Sequence, residues 1–285
     1  MHGGDPAVPR PISELPLAIE RKETLARLLD EGPLAVFLDF DGTLTPVVGH
    51  PDQAHLSAPM REAVRILAGH CSVAVVSGRD RANVEDRVGL EGLTYAGSHG
   101  FDIAVPGGGG LEVCAEYRDA LAKISQRLGR ALMGLDGALI ETKRCALAVH
   151  YRQVAGKDVH RIKDAVSAAV AGNTSLRLTT GKKVYEILPA IDWNKGKAVR
   201  WILENMARKG AVPVPVYIGD DKTDEDAFAE IIHTGAGLVV MEDGDADRLS
   251  SASFRLRGTD DVARILRFLA ALARRKTAAG VEEIP

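Results

Sequence analysis

The chain has 285 residues, of which 46 % are hydrophobic and 26 % are charged. These ordinary values exclude a disordered or collagen-like chain, and the length suits one large domain or two modest ones. The 36 Lys and Arg residues against 39 Asp and Glu residues give a formal net charge of −3. This balance indicates neither a nucleic-acid partner nor an anionic membrane.

The cysteines and the N-terminus bear on cellular location. Cys71, Cys114 and Cys145 are odd in number and far apart in the sequence, and their spacing matches no zinc-binding pattern. The sequence therefore predicts reduced thiols in a reducing compartment. No apolar run approaches the ~20 residues that cross a bilayer, and residues 1–11 lack the layout of a signal peptide. We expect a cytoplasmic protein without a membrane partner.

The first hundred residues alternate between helical and strand patterns. An amphipathic helix is predicted over residues 13–29. The continuous apolar run Leu34–Leu38 is typical of a strand buried on both faces of a parallel sheet. Further elements are predicted in chain order as a helix at 59–68, a strand at 71–76, a helix at 79–88 and a strand at 93–96. This alternation predicts an open α/β sheet.

The pattern changes in the middle of the chain and then returns. A helix at 113–133, strands at 138–141 and 145–151, a helix at 158–171, and strands at 175–179 and 184–188 predict a small α+β module. Afterwards the first pattern resumes with helices at 195–208, 223–230 and 260–272 and strands at 214–218 and 237–241. The predicted fold is a doubly wound, Rossmann-like α/β core of residues 1–105 and 190–285, with an inserted α+β cap at 106–189.

Two carboxylates directly follow the first predicted strand, in the run DFDGTLTP at residues 39–46. The carboxyl end of a parallel strand is where open α/β sheets bind ligands. Asp39 and Asp41, two positions apart, suit a nucleophile and a proton-transfer group. Gly42 allows a turn that other residues resist. Two acids that merely end the strand as turn formers are the alternative.

The second predicted strand ends in Ser77-Gly78-Arg79. A hydroxyl and backbone N–H groups at the start of a helix can hold a phosphoryl oxygen. Ser77 is therefore a candidate catalytic residue, and Gly78 and Arg79 are candidate substrate-binding residues. A serine that only caps the following helix is the alternative.

The chain after the predicted insertion supplies a cation and a group of acids. Lys195 opens a helix, where the helix dipole slightly disfavours it, so a nearby anion would explain its position. The run GDDKTDED at residues 219–226 follows an apolar strand and contains Asp220, Asp221 and Asp224. Carboxylates at a strand end suit Mg²⁺. A solvated lysine and acids that cap the next helix are the alternatives.

Together the four motifs resemble the haloacid dehalogenase superfamily, specifically its capped phosphatases. The resemblance implies that Asp39 is the nucleophile and that Asp41 protonates the leaving sugar oxygen and later deprotonates water. Ser77 and Lys195 would hold the phosphoryl group. The resemblance also implies Mg²⁺ as cofactor, bound by Asp39, by Asp41 through its backbone carbonyl and by Asp220. Asp221 and Asp224 complete the implied metal site, either as ligands, through water, or by supporting the other ligands.

The inserted module carries charged residues on two predicted strands within 141–152 and 181–189. Because side chains alternate along a strand, each strand would have one apolar and one polar face. Lys143 falls on the apolar parity, so a break or bulge near Arg144 is needed to turn it. The charged residues predicted for the polar face are His150, Arg152, Lys182 and Glu186. This face suits an anionic sugar phosphate, with ordinary surface charges as the alternative.

The runs ETKRCALAVHYR, GKKVYEILP, DWNKGKA, GDDKTDEDAF and YAGSHGFDI resemble trehalose-6-phosphate phosphatases. His99, in the YAGSHGFDI run, is a substrate or hinge contact in one interpretation and a structural residue in the other. The resemblance implies sugar contacts from Glu141, Lys143, His150, Arg152, Lys182 and Glu186.

The function implied is Mg²⁺-dependent hydrolysis of trehalose 6-phosphate, downstream of a trehalose-6-phosphate synthase, by an enzyme that we expect to be a monomer. The alternatives are a phosphatase of another sugar phosphate, such as sucrose 6-phosphate or glucosylglycerol phosphate, and a non-catalytic regulatory module. A phospho-relay receiver is a further class. The paired acids and the inserted module argue against it.

Overall fold

The computed structural model describes residues 8–181, 183–208, 210, 212–241 and 244–282. The chain divides into two compact units. One comprises the residues up to Gly109 together with those from Asn194 onward, and the other comprises Gly110–Trp193. The predicted division, after residues 105 and 189, lies close to these points.

The first unit is built on a mostly parallel sheet. Leu34–Leu38, buried along its whole length, lies inside this sheet between two parallel neighbours. Such burial explains why its sequence is apolar throughout rather than alternating. Across the sheet the strands of this unit are Phe254–Leu256, Ala236–Val240, Val214–Gly219, Leu34–Leu38, Ser72–Val76, Thr94–Gly97 and the antiparallel Asp102–Ala104. The predicted doubly wound α/β fold is confirmed.

Helices cover this sheet and close one large apolar core. Ser57 caps the helix Ala58–Ala68 by accepting a hydrogen bond from the Met60 N–H, as its type and position predict. The α-helices of the unit are Lys22–Leu28, Ala58–Ala68, Arg81–Val88, Lys195–Ala207, Glu225–Ile231 and Thr259–Glu282. A short pair of strands, Arg10–Pro11 and Leu249–Ser250, lies apart from the main sheet.

The helix predicted over residues 13–29 is wrong in its first half. Short 3₁₀ turns occupy Ile12–Glu14 and Ala18–Glu20, and the α-helix begins only at Lys22. Pro16 explains the difference, because the residue before a proline is pushed out of the helical region. Leu15 accordingly has an extended backbone, with ψ of 140°.

The second unit packs helices on one face of an antiparallel sheet. Its helices are Arg118–Ala131 and Val159–Val170, and a short strand, Gly110–Glu112, precedes them. Leu147, Val149 and Ile187 point into the apolar core with the helices. The strand order is Leu139–Thr142, Leu147–His150, Val184–Pro189 and Leu176–Gly181. The alternation of faces follows the predicted parity, which leaves the opposite face to polar side chains.

The prediction that all three cysteines are reduced is wrong for two of them. Cys114 and Cys145 form a disulfide, with their Cα atoms 5.4 Å apart. Cys145 lies in the turn between Leu139–Thr142 and Leu147–His150, which the fold brings beside the segment that precedes Arg118–Ala131. Sequence spacing could not reveal this contact, because 31 residues separate the two cysteines. Cys71 is free.

Among the residues that the structure describes, none of the helices combines the length and the apolar character needed to cross a membrane.

Candidate active site

A buried lysine lies between two carboxylates of the first unit. Lys195 Nζ is 3.0 Å from Asp39 Oδ1 and 2.7 Å from Asp224 Oδ1. The exposed fractions of the three side chains are 2 % for Lys195, 7 % for Asp39 and 0 % for Asp224. Two carboxylates and one ammonium group carry a net negative charge away from water, so a further cation would be stabilised there.

Burial and neighbouring charges act oppositely on Asp39 and Lys195. Burial raises the pKa of Asp39 to about 7, opposed by Lys195 and reinforced by Asp224 and Asp41. Burial alone would lower the pKa of Lys195, but Asp224 and Asp39 together hold that pKa above its ordinary value. Lys195 therefore stays charged, and Asp39 gains from any further positive charge brought beside it.

The sheet topology brings Asp39 and Asp220 to the same edge. Each directly follows a strand, and these strands, Leu34–Leu38 and Val214–Gly219, are parallel neighbours. The Asp39 N–H donates to the Ile218 carbonyl at 2.9 Å, which continues the pairing past the strand end. The carboxyl ends of parallel strands meet at one edge, so the two acids converge although they are far apart in sequence.

Gly42 makes this convergence sterically possible. Its φ of +83° lies in the left-handed region, and a Cβ there would lie 2.1 Å from Asp220 Oδ2. A side chain at position 42 would therefore both strain the backbone and displace the acid. The glycine of the DFDGTLTP run is thus explained by close approach as well as by the turn.

Asp224 anchors the site with both carboxylate oxygens. Oδ1 accepts hydrogen bonds from Lys195 Nζ at 2.7 Å and from the Tyr217 hydroxyl at 2.6 Å. Oδ2 accepts from the backbone N–H groups of Asp220 and Asp221, both at 2.9 Å. These bonds offset the cost of burying a carboxylate.

The remaining acids of this run differ in their surroundings. Asp220 is buried, its Oδ1 accepts from the Thr43 hydroxyl at 3.2 Å, and its carbonyl accepts from Arg248 Nη2 at 2.6 Å. Asp221 is exposed and accepts from the Lys222 N–H at 2.6 Å, as a cap of the following turn. Oxygen atoms of Asp39, Asp220 and Asp224 lie within 4.8 Å of one another, a grouping that could hold a metal ion and does not include Asp221.

Lys195, Asp39 and Asp224 together form what we call the lysine cluster. Asp41 does not pair with this cluster but with Arg79. Arg79 Nε donates to Asp41 Oδ2 and Arg79 Nη2 donates to Oδ1, both at 2.6 Å. The Arg79 guanidinium also lies 5.3 Å from the centre of the Phe40 ring. Arg79, predicted as a substrate contact, thus pairs in a bidentate manner with the second acid of the DFDGTLTP run.

The loop that contains Ser77 and Gly78 packs closely against His99. The Ser77 hydroxyl accepts from the Arg79 N–H at 3.1 Å, and the Ser77 carbonyl accepts from the His99 N–H at 2.9 Å. A Cβ at position 78 would lie 2.8 Å from His99 Cε1. His99 itself has φ of 58°, unusual for a residue with a side chain. The structure therefore places His99 against the Ser77–Arg79 loop.

The polar sheet face of the second unit holds one ion pair and one pair of hydrogen-bonded side chains. Lys143 Nζ lies 3.1 Å from Glu186 Oε1, and His150 Nε2 lies 2.8 Å from Glu141 Oε2. Lys143 reaches this face because its strand ends at Thr142, so of the break or bulge predicted near Arg144 the chain makes a break.

The other two predicted sugar contacts of this unit are Arg152 and Lys182. Arg152 is exposed and lies beyond the strand Leu147–His150. Lys182 lies outside the described residues.

Two residues that contact the site were missed from the sequence. Tyr217 is a hydroxyl-bearing residue in an otherwise apolar buried strand, and a buried tyrosine hydroxyl usually needs a partner. This signal was available but did not identify the partner. Arg248, which bridges the Asp220 carbonyl and Glu225, lies in a loop that gave no signal.

The fold and the site together define a class. A mostly parallel sheet carries the acids Asp39 and Asp41 after one central strand and an acidic run after the neighbouring strand. A buried lysine lies between acids of the two segments, and an α+β unit is inserted in the chain before this lysine. This is the arrangement of haloacid dehalogenase-type phosphatases. The sequence pattern of the trehalose-phosphatase family matches residues 37–260. The chain belongs to that family, and the resemblance inferred from its motifs is confirmed.

Two relatives with different descriptions match most of this chain. A trehalose-phosphate phosphatase of Mycobacterium tuberculosis is 41 % identical over 272 residues, which cover 93 % of this chain and 67 % of the relative. An uncharacterized glycosyl hydrolase of the same organism is 45 % identical over 264 residues, covering 91 % of this chain and 20 % of the relative. The chain thus spans only a fifth of the length of one relative and two thirds of the other.

A solved structure shows the same fold. The C-terminal domain of the Candida albicans trehalose-6-phosphate phosphatase matches with a TM-score of 0.75 at 22 % identity, covering 90 % of this chain and 99 % of that chain.

Proposed function

We propose that this protein is a Mg²⁺-dependent phosphatase that converts trehalose 6-phosphate to trehalose and inorganic phosphate. The observation that carries the proposal is the buried Lys195 between Asp39 and Asp224, at the edge where Asp220 also lies. A carboxylate and a phosphate repel each other, so attack by Asp39 needs positive charge fixed beside it.

In the first step, an Asp39 oxygen attacks the phosphorus atom and the bond from phosphorus to the sugar oxygen breaks. Asp41, which takes up a proton once Arg79 releases it, gives that proton to the leaving oxygen, which departs as the trehalose hydroxyl. Lys195 offsets the charge of the approaching groups, and the Ser77 hydroxyl and the loop N–H groups hold the phosphoryl oxygens.

In the second step, Asp41 removes a proton from a water molecule, whose oxygen attacks phosphorus and releases Asp39 and phosphate. Both Asp41 oxygens accept hydrogen bonds from Arg79 in the resting protein. This pair therefore separates before Asp41 acts in proton transfer. The phosphoryl group offers Arg79 an alternative bidentate partner.

The donor set fits magnesium. Mg²⁺ prefers hard oxygen ligands, one or two of them carboxylates. Asp39 and Asp220 would supply carboxylate oxygens and Asp41 its backbone carbonyl, whereas Asp224 is engaged by Lys195, Tyr217 and two backbone N–H groups. When bound, the ion would neutralise charge on the phosphoryl oxygens.

The polar face of the second unit supports a sugar phosphate as substrate. Its paired charges offer both hydrogen-bond donors and acceptors to sugar hydroxyls. We propose that Glu141, Lys143, His150 and Glu186 contact the sugar, and Arg152 and Lys182 stay in the proposal on the family resemblance. Another sugar phosphate would fit the same donors, so substrate choice needs a direct assay.

The proposal extends to cellular context. We propose that the protein acts as a monomer on the product of a trehalose-6-phosphate synthase. A cytoplasmic location stays a prediction of the sequence, and the bonded Cys114 and Cys145 remove reduced thiols as a reason for it.

The test is release of inorganic phosphate, with Mg²⁺ and with EDTA, from trehalose 6-phosphate, sucrose 6-phosphate, glucose 6-phosphate, glucosylglycerol phosphate and an aryl phosphate. We expect a Mg²⁺-dependent preference for trehalose 6-phosphate. A preference for another sugar phosphate would contradict trehalose 6-phosphate as the substrate but would still support the phosphatase reaction. No release from any of them would favour a regulatory module.

A further inference from the structure

Tyr217 lies beside the buried lysine cluster without belonging to it. It occupies the strand Val214–Gly219 and is fully buried. Its ring stacks on Phe37, with centroids 6.5 Å apart, and meets Phe228 edge-on at 5.6 Å. Its hydroxyl donates to Asp224 Oδ1 at 2.6 Å. The ring therefore belongs to the core, and the hydroxyl reaches the site.

The hydroxyl and the lysine share one oxygen atom. Lys195 Nζ donates to the same Asp224 Oδ1 at 2.7 Å and lies 3.0 Å from Asp39 Oδ1. Lys195 is thus divided between two buried carboxylates. The distance from Lys195 Nζ to each carboxylate depends on how many other hydrogen bonds that carboxylate accepts.

We propose that Tyr217 is a positioning residue, whose hydroxyl satisfies Asp224 Oδ1 and so keeps Lys195 against Asp39. Without the hydroxyl, Oδ1 would keep only the ammonium group, and a poorly solvated carboxylate draws its cation closer. Lys195 would then move toward Asp224 and away from the nucleophile. This inference rests on the proposed function, since it assigns a role in the step that Asp39 carries out.

The tyrosine is suited to this task chemically. An ionised carboxylate can only accept a hydrogen bond and a phenol hydroxyl can donate one, so the Tyr217 hydroxyl is the donor in its bond to Asp224. Because the hydroxyl acts through Asp224, its removal should affect the rate of the chemical step and leave sugar binding nearly unchanged.

The test compares Tyr217→Phe with Tyr95→Phe. Tyr95 is also buried on a strand of the first unit, and its hydroxyl donates to the Leu90 carbonyl at 2.6 Å, outside the lysine cluster. Each variant loses one hydroxyl hydrogen bond of 2.6 Å and keeps its buried ring. The control therefore accounts for a general loss of stability.

We expect Tyr217→Phe to lower kcat for trehalose 6-phosphate about 10- to 100-fold, the size expected when a hydrogen bond to a charged group is lost, with KM little changed. Tyr95→Phe should keep kcat within about twofold of wild type, as expected for a substitution away from the site. Equal kcat losses in the two variants, or an unchanged kcat in Tyr217→Phe, would overturn the proposal.

Two further measurements separate positioning from structure. In protein labelled with ¹⁵N-lysine and kept free of metal, the Lys195 ammonium signal, assigned with Lys195→Met, should shift in Tyr217→Phe and stay in place in Tyr95→Phe. In an Asp224→Asn background, Tyr217→Phe should have little further effect on kcat or on that signal. A full effect in that background would show that Tyr217 does not act through Asp224.

These readouts also separate the two proposals. If wild-type protein releases no phosphate from any sugar phosphate, the proposed function fails, while the ammonium signal still tests the link from Tyr217 to Lys195. If Tyr217→Phe does not fold, the comparison is made with Tyr217→Phe in the Asp224→Asn background, where the buried carboxylate is gone. A Lys195 signal there that differs from the one in Asp224→Asn alone would overturn the proposal, and an unchanged signal would support it.

Discussion

The two units carry charge in contrasting ways. In the first, Lys195 and Asp224 are almost completely shielded from water and are joined by a hydrogen bond of 2.7 Å. In the second, the paired side chains are more accessible: Lys143 and Glu186 are 8 % and 18 % exposed, and His150 and Glu141 are 24 % and 40 % exposed. Buried ions cannot change partners cheaply, whereas exposed pairs are weak and exchange readily. The contrast favours fixed chemistry in the first unit and ligand exchange in the second.

The largest expected effect comes from removing the nucleophile. Asp39→Asn keeps the size of the side chain but cannot form the aspartyl-phosphate, so phosphate release should fall by about 10³-fold or more, as for other nucleophile substitutions. A variant that retains a tenth of the wild-type rate would exclude Asp39 as the nucleophile. Circular dichroism controls for folding.

Lys195→Met tests whether the buried cluster is held by its cation. It would leave Asp39 and Asp224 uncompensated, so we expect a loss of about 3–5 kcal/mol in the free energy of unfolding and about 10²- to 10³-fold in kcat. Denaturant titration measures the first quantity. The matched control is Lys197→Met, two positions along the same helix and outside the cluster, and equal losses in both would contradict the assignment.

Lys143→Met tests ligand exchange in the second unit. Losing one charge-assisted contact should raise KM for trehalose 6-phosphate about 10- to 100-fold, with a much smaller change in kcat. Arg161→Met, which removes an exposed ion pair with Asp158 in the same unit, is the control and should leave KM unchanged. A change confined to kcat would argue against a sugar contact.

Reduction of the Cys114–Cys145 bond should destabilise the second unit. For a loop closed over 31 residues, chain entropy gives about 3–4 kcal/mol. Dithiothreitol should therefore lower Tm, and Cys71→Ser should respond as wild type does. Thiol counting in denaturant should find Cys71 alone.

Burial raises the pKa of Cys71 to about 12, so the native thiol should also react slowly at pH 8. Three reactive thiols in unreduced protein would contradict the disulfide.

The stability of the metal-free protein should also depend on pH. Burial raises the pKa of Asp39 from its ordinary 3.8 to about 7, so the folded chain binds this proton more tightly than the unfolded chain. Stability from this group is then present at low pH and is lost as pH rises from about 4 to about 7. In EDTA, the Tm of wild type relative to Asp39→Asn should fall across this window, and a rise would contradict the shift.

Local sequence determined several parts of the fold because the relevant forces act over short distances. The apolar run Leu34–Leu38 is buried on both faces, and Ser57 caps its helix. The wrong helix boundary at residues 13–29 also has a local cause. The apolar periodicity of this segment favours a helix from its start, but Pro16 prevents one there. The end of the strand at Thr142, which turns Lys143 to the polar face, was anticipated only as a break.

Contacts between distant segments decided the rest. The family was recognisable from the resemblance of the sequence motifs to those of known phosphatases. The alternation of strands and helices and the residue types of the site followed from local spacing and periodicity. The contacts of Asp224 with Lys195 and Tyr217, of Arg79 with Asp41, and of Cys114 with Cys145 could be seen only in the folded chain. Those contacts depend on which buried groups meet after strands far apart in the chain become neighbours, and on the free-energy cost of leaving a buried charge without a partner.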